Sequence, residues 1–203
     1  MSRDFLGLPL QDFLTEVATP EPMPGAGYCA AVSLSMAAGL VAMVAAASRE
    51  SWGEAKGAAA QANTLRERVA PLAQRNVDAY ASAIARLRAA EFVPEPGSEP
   101  EPDERKDQDL GTLLERAAQI PLEIAEAALD VASLAAVVAE RGEQAMRADA
   151  VVGALLAQGA ARAAAMLVEV NLGTTSDDPR VTRARDLAGS ATAAAQRAVA
   201  TLG

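Results

Sequence analysis

The residues that could do chemistry in this chain are amides, hydroxyls and carboxylates, because the sequence has no histidine and only one cysteine. Histidine is the commonest general base and the usual zinc ligand, and a cysteine nucleophile needs a base beside it. A thiol protease-like dyad is therefore excluded. No Gly-Lys-Ser/Thr phosphate loop and no Gly-x-Gly-x-x-Gly loop after a strand is present. The lone Cys29 excludes an internal disulfide, which fits a reducing cytoplasm.

A loop rich in proline and glycine is the most informative segment. Pro22-Met-Pro-Gly-Ala-Gly-Tyr-Cys-Ala-Ala31 leads directly into a long uncharged helix. Its prolines fix φ and disfavour helix before them, and its glycines permit close backbone approaches. Free N–H groups at the start of a helix can bind an anion or the polar edge of a ligand. The alternative is an ordinary junction between a loop and a helix.

The elements that position this loop are predicted to be helices alone. Alanine makes up about a quarter of the 203 residues, aromatic residues only 3%, and no alternating strand pattern occurs. We expect one all-α domain over residues 1–203, an antiparallel bundle of about six helices. The predicted helices run over Leu10–Val17, Tyr28–Arg49, Glu54–Ala89, Asp107–Arg141, Glu143–Val170 and a last helix, capped by Asp177 or Asp178, that ends near Thr201.

One face of the third predicted helix carries a polar residue among apolar ones. The stripe consists of Leu65, Val69, Leu72, Asn76, Tyr80, Ile84 and Leu87. Asn76 is its polar member, whereas Asp78 points away and is expected to meet solvent. Pro121 lies inside the fourth predicted helix, where proline frees a backbone carbonyl.

Charge and hydropathy limit the partners. The net charge of −9 argues against a nucleic-acid partner. Residues 91–109 hold −6 of it, and the Pro/Glu-rich part at about 92–106 is expected to be an acidic connector; a lid or an oligomer contact is the alternative. Tyr28 to Ser48 has no charge and is long enough to span a bilayer. Because it is mostly Ala, Ser and Gly, we expect a buried central helix and no membrane partner.

Several motifs, in order along the chain, resemble the formiminotetrahydrofolate cyclodeaminase and methenyltetrahydrofolate cyclohydrolase family. They are Pro24-Gly-Ala-Gly-Tyr-Cys-Ala-Ala31, Met36-Ala-Ala-Gly-Leu-Val-Ala-Met-Val44, Ala79-Tyr80, Ile120-Pro-Leu-Glu-Ile-Ala125, Gly142 to Asp149, and Asn171-Leu172. The resemblance implies an all-α, cytoplasmic homodimer that acts on a tetrahydrofolate derivative or a related cyclic C–N compound. It implies no metal and no cofactor.

The resemblance also implies a chemistry. Family members hydrolyse a cationic methenyl-folate ring, or close a formimino-folate into that ring with loss of ammonia. Both reactions pass through a tetrahedral carbon between two nitrogens, where a carboxylate can stabilise positive charge and move a proton. The implied catalytic residues are Asp149, Asn76 and Glu143, and the implied ligand-binding residues are Pro24, Gly25, Gly27, Tyr28, Tyr80 and Asn171. Tyr28 is expected to project into the region that binds the pterin.

Polar positions depart from the family pattern more than core-like positions do. The departures are Ala26, Tyr28, Asn76, Glu95, Glu143, Ala148 and Leu167. At Asn76 the family has an acid, so that a charge is lost from the interior stripe. Two alternatives to the folate reaction therefore stay open: an enzyme repurposed for another small molecule, and a non-catalytic helical dimer.

Overall fold

Six helices make up the described part of the protein. The computed structural model describes residues 4–21, 23–90, 104–172 and 177–203, and the side chains within these ranges except those of 83–84, 86–90 and 104–116. The helices are α1 (Leu10–Val17), α2 (Ala26–Ala47), α3 (Ala55–Ala90), α4 (Glu104–Arg141), α5 (Arg147–Leu172) and α6 (Pro179–Ala200), with a 3₁₀ turn at Gln144–Met146. These ranges contain no strand. The predicted all-α bundle of about six helices is confirmed.

The ends of the helices follow local chemistry. Asp178 caps α6 by accepting a hydrogen bond of 2.8 Å from the backbone N–H of Arg180, as the sequence predicts for one of two aspartates. Helix α4 begins at Glu104 rather than Asp107, so residues 104–106 are helical and not part of the predicted acidic connector. Glutamate, arginine and lysine all have good helix propensity, which favours a start at Glu104 over one at Asp107. Residues 92–103 of that connector lie outside the described residues.

Small residues allow α2 to lie in the middle of the bundle. It packs against α3, α4 and α5, and its buried side chains are mostly alanine and valine. Helix α5 approaches α2 closely at Gly153, where an added Cβ would lie 3.1 Å from Val41 Cγ2 and 3.2 Å from the Ala37 carbonyl oxygen. Interiors are close-packed, so a larger residue at this crossing would push the two helices apart.

Within the residues that the structure describes, two helical stretches have the length and composition of a membrane span. They are Ala26–Ala47 and Gln144–Leu172, and half of the most apolar window of each is buried inside the bundle. For α2 this agrees with the expected central helix. Its buried apolar side chains pack against α3 and α5.

A buried hydroxyl joins the end of α2 to the chain after α4. The Ser48 side chain is fully buried. Its Oγ donates to the Val44 carbonyl oxygen at 2.7 Å and accepts from the Glu143 N–H at 2.7 Å. Gly142 makes room for this contact, since a Cβ there would lie 3.0 Å from Ser48 Oγ. One hydroxyl thus satisfies a backbone group that would otherwise be buried without a partner.

Replacement of this hydroxyl tests its importance. We expect Ser48→Ala to lower the free energy of unfolding by about 1–3 kcal/mol, because the Glu143 N–H loses its acceptor. The matched control is Ser51→Ala, whose Oγ donates at 3.3 Å from a partly exposed position and whose loss should cost less than about 0.5 kcal/mol. Urea unfolding of both variants measures the difference. Equal losses would contradict the assigned role.

Candidate functional site

The loop of residues 23–27 forms one wall of a groove of about 280 Å³. The start of α2, the middle of α3, α4 at its proline and the end of α5 form the others. The lining residues are Met23, Gly25, Ala26, Gly27, Asn76, Val77, Tyr80, Pro121, Leu167, Val170 and Asn171. Five of the residues expected to bind or act on a ligand therefore meet here, from three distant parts of the sequence: Gly25, Gly27, Asn76, Tyr80 and Asn171.

Gly27 is required by the position of Asn76. A Cβ added at Gly27 would lie 2.6 Å from both Cγ and Nδ2 of Asn76, well inside contact distance. The Asn76 amide therefore lies directly against the first turn of α2. The N-cap residue of α2 is Gly25, which has no side chain to accept a hydrogen bond from the helix. The first N–H groups of α2 therefore lie beside this amide without an intrahelical acceptor.

The described lining of the groove carries no formal charge at neutral pH. Its polar groups are the amides of Asn76 and Asn171, the Tyr80 hydroxyl and backbone groups. The other members are apolar, and the Tyr80 ring is 42% exposed at the edge. Apolar walls with a few converging polar groups are typical of a site for a small organic molecule.

Tyr28 lies elsewhere, which corrects the expectation that it projects toward a ligand. Its side chain is fully buried and its ring packs against Phe5 at 5.7 Å and Phe13 at 5.5 Å between centroids. The helical turn of about 100° per residue rotates position 28 away from the groove that position 27 faces. Tyr28 therefore fastens α1 and the N-terminal segment to α2.

Asp149 and Glu143 do not join Asn76 within one chain. Asp149 is in the first turn of α5 and Asn171 is near its end, 22 residues later, which corresponds to about 33 Å. An acid in the first turn stabilises a helix through its dipole, which gives Asp149 a structural role. At Glu143 the visible contribution comes from the backbone N–H that donates to Ser48. Neither Asp149 nor Glu143 is among the residues that line the groove with Asn76.

Pro24, the remaining predicted ligand-binding residue, lies in the loop before α2. Pro24 is buried, and the Met23–Pro24 peptide bond is cis. Burial raises the pKa of the half-buried Cys29 thiol. The groove also contains Met23 and Val170, which sequence reasoning did not assign to it, and Leu167, which the sequence analysis named only as a departure from the family pattern. The spacing of Leu167, Val170 and Asn171 on one helix face was the available signal.

Comparison with known proteins identifies the family. A profile of the formiminotransferase-cyclodeaminase family matches residues 9–189. The chain belongs to this family. Its structure is similar to the crystal structure of formiminotetrahydrofolate cyclodeaminase from Thermotoga maritima, with a TM-score of 0.82 over 98% of each chain at 22% sequence identity. At that identity the similarity concerns the fold. No curated protein sequence matches the chain.

The buried Tyr28 phenol gives a test of its placement. Its hydroxyl has no hydrogen-bond partner among the described residues, and burial, followed by the Asp4 carboxylate, raises the pKa of Tyr28 from 10.0 to about 12. Because the folded state holds this proton more tightly, the stability it contributes is complete below pH 10 and is lost between pH 10 and 12. The loss is at most on the order of 3 kcal/mol.

We therefore expect Tyr28→Phe to leave the free energy of unfolding at pH 7 unchanged or slightly higher, and to reduce the loss of stability above pH 10 by the share that this phenol causes. The Cys29 thiol, whose pKa is also raised, keeps its own share. Denaturant unfolding at pH 8, 10 and 11.5 measures both. The control Tyr80→Phe retains the buried phenol and should lose stability above pH 10 as the wild type does. A wild type and a Tyr28→Phe variant with parallel pH profiles would show that this phenol is not buried in solution.

Proposed function

We propose that this protein is a cyclodeaminase- or cyclohydrolase-like enzyme whose substrate lies in the groove beside Asn76. The substrate is methenyl- or formimino-tetrahydrofolate, or a related cyclic C–N compound. The observation that carries this proposal is the meeting of Gly25, Gly27, Asn76, Tyr80 and Asn171 at one groove. Membership of the family supports the substrate class.

The groove offers binding groups that suit a flat, polar ring. Val77, Leu167 and Val170 provide apolar contact for the ring faces. The side-chain amides of Asn76 and Asn171 can each donate and accept hydrogen bonds at its edge. In the hydrolysis of a methenyl ring, the first N–H groups of α2 can donate to the oxygen that water adds at the tetrahedral carbon, in the manner of an oxyanion hole. The cyclodeaminase reaction adds no oxygen, and for it the proposed role of these groups is to bind the polar edge of the substrate and position the reacting carbon.

We further propose that two copies associate in the cytoplasm through the outer faces of α2 and α5. Helix α2 has no charged residue, and between Asp149 and Glu169 the only charge on α5 is Arg162. This surface exposes Met36, Met43, Val152, Leu155 and Met166. Apolar area of this kind is characteristic of an interaction surface, and a two-fold axis would bury it on both copies.

A non-catalytic helical protein is the second candidate. It is favoured by one observation, the uncharged described lining of the groove, with Asn76 where the family pattern has an acid. Neither candidate carboxylate, Asp149 or Glu143, lines the groove, and Asp149 lies at the far end of α5. Turnover therefore decides between the two functions.

Incubation of the purified protein with 5,10-methenyl-tetrahydrofolate, followed by ultraviolet absorbance, tests the proposal. We expect hydrolysis faster than the spontaneous rate, and saturable binding of the stable analogue 5-formyl-tetrahydrofolate. Asn76→Ala should weaken both, because it removes the amide from the centre of the groove. Absence of both binding and turnover in the wild type would favour the non-catalytic protein.

A glycine pair tests whether the Gly27 contact matters for the ligand. Gly27→Ala should displace the Asn76 amide, lower the free energy of unfolding by about 1–3 kcal/mol and weaken ligand binding. The matched control is Gly57→Ala on α3, where an added Cβ meets nothing within 4 Å and should stabilise the helix by about 0.5–1 kcal/mol. Calorimetry and ligand titration of both variants measure these effects. Unchanged binding in Gly27→Ala would separate the glycine from the ligand site.

A further inference from the structure

We infer that the groove selects an uncharged or anionic ligand over a cationic ligand of the same shape, and that Asn76 determines this selection. The inference rests on the proposed function in one respect, namely that the ligand occupies the groove beside Asn76. It goes further by naming the charge class of that ligand and the residue that discriminates.

The side chain in contact with the ligand is an amide where a carboxylate of almost the same size would fit. Asn76 is half-buried in the groove and held against Gly27. A neutral amide forms hydrogen bonds with neutral donors and acceptors but does not balance a positive charge. A cation that loses part of its hydration in the groove would therefore be poorly compensated.

The carboxylates nearest in sequence to the lining residues of α4 and α5 are paired with arginines and do not line the groove. On α3, Asp78 accepts from Gln74 Nε2 at 3.1 Å and is not a lining residue either. Glu123, two residues after Pro121, accepts from Arg75 at 2.7 Å. Glu169, next to Val170, accepts from Arg185 at 2.8 Å, and this hydrogen bond lowers the pKa of Glu169. Neither is among the lining residues. Within the described part of the chain, the groove is left without a carboxylate for a bound cation.

The start of α2 adds to the same preference. The groove contacts Gly25, Ala26 and Gly27, where the N–H groups of the first turn carry the positive end of the helix dipole. This end attracts an anion or a carbonyl oxygen and repels a cation. Together with the neutral amide of Asn76, it makes the groove favour neutral and anionic ligands. A site with an acid at position 76 would favour cations.

The consequence for chemistry concerns the two sides of the folate interconversion. The methenyl ring is a delocalised cation, whereas the formyl compound formed by addition of water and loss of a proton is a neutral amide. The inferred preference means that the groove binds the neutral formyl side more tightly. The carbonyl oxygen of that amide is the acceptor that the Asn76 Nδ2 and the N–H groups of α2 would meet.

Three isosteric probes test the preference without any folate. Benzoate, benzamide and benzamidinium have nearly the same shape and carry −1, 0 and +1 charge. Their dissociation constants are measured by NMR titration of the full-length protein, following the backbone N–H signals of Gly25 and Gly27. We expect benzoate and benzamide to bind at least about tenfold more tightly than benzamidinium.

The ratio to compare is the dissociation constant of benzamidinium divided by that of benzamide. We expect Asn76→Asp to lower this ratio by at least about tenfold, because it places a carboxylate in contact with the ligand. The matched control is Asn63→Asp, an exposed position on the same helix that changes the net charge equally. It should leave the ratio within about twofold of the wild-type value. Thermal unfolding of both variants checks that they are folded.

Each other outcome overturns the inference. These outcomes are a wild type that prefers benzamidinium, a wild type that binds none of the probes at the groove, and an Asn76→Asp variant whose ratio does not change. A cation preference that disappears in Asp149→Ala would show that a second copy supplies the carboxylate. Failure of the proposed function is seen separately, as charge-dependent binding of the probes without binding of 5-formyl-tetrahydrofolate.

Discussion

The close approach of α2 to its neighbours is the constraint on which the rest of this structure depends. Gly153 brings α5 onto Ala37 and Val41, and Gly27 brings the Asn76 side chain of α3 onto the first turn of α2. Dispersion contacts between such small residues are individually weak, and their sum depends on close packing along the whole helix. The backbone of α2 can therefore serve at once as the core of the bundle and as one wall of the groove.

The two ends of α2 show how differently buried polar groups are treated in this protein. At its C-terminal end Ser48 joins two backbone groups and closes the junction with the chain after α4. At its N-terminal end no side chain caps the helix, and the amides of Asn76 and Asn171 lie in an open groove. The structure thus satisfies its backbone where stability is required and leaves hydrogen-bonding groups available where a ligand is proposed to bind.

Local patterns predicted the fold better than the site. Alanine-rich periodicity and the caps located the helices, including α1 with the bounds that the structure has. Resemblance to family motifs grouped residues that are far apart in the sequence, and it did so without any estimate of their distance in space. These residues are the loop glycines, Asn76, Tyr80 and Asn171. Tyr28 and Asp149 were misplaced for a geometric reason. The direction of a side chain changes by about 100° at each helical residue, and a long helix separates its ends by tens of ångströms. Neither effect is visible in a linear motif.

The contact between Gly27 and Asn76 also limits how this chain can change over time. Because the two residues share one small volume, a side chain at position 27 is tolerated only if position 76 becomes smaller or turns away. The constraint acts in one direction only. A side chain at position 27 is costly while asparagine occupies position 76, whereas a smaller residue at position 76 leaves glycine at position 27 undisturbed and makes room for a larger one. The order in which the two positions can change is therefore set by the contact, with position 76 first.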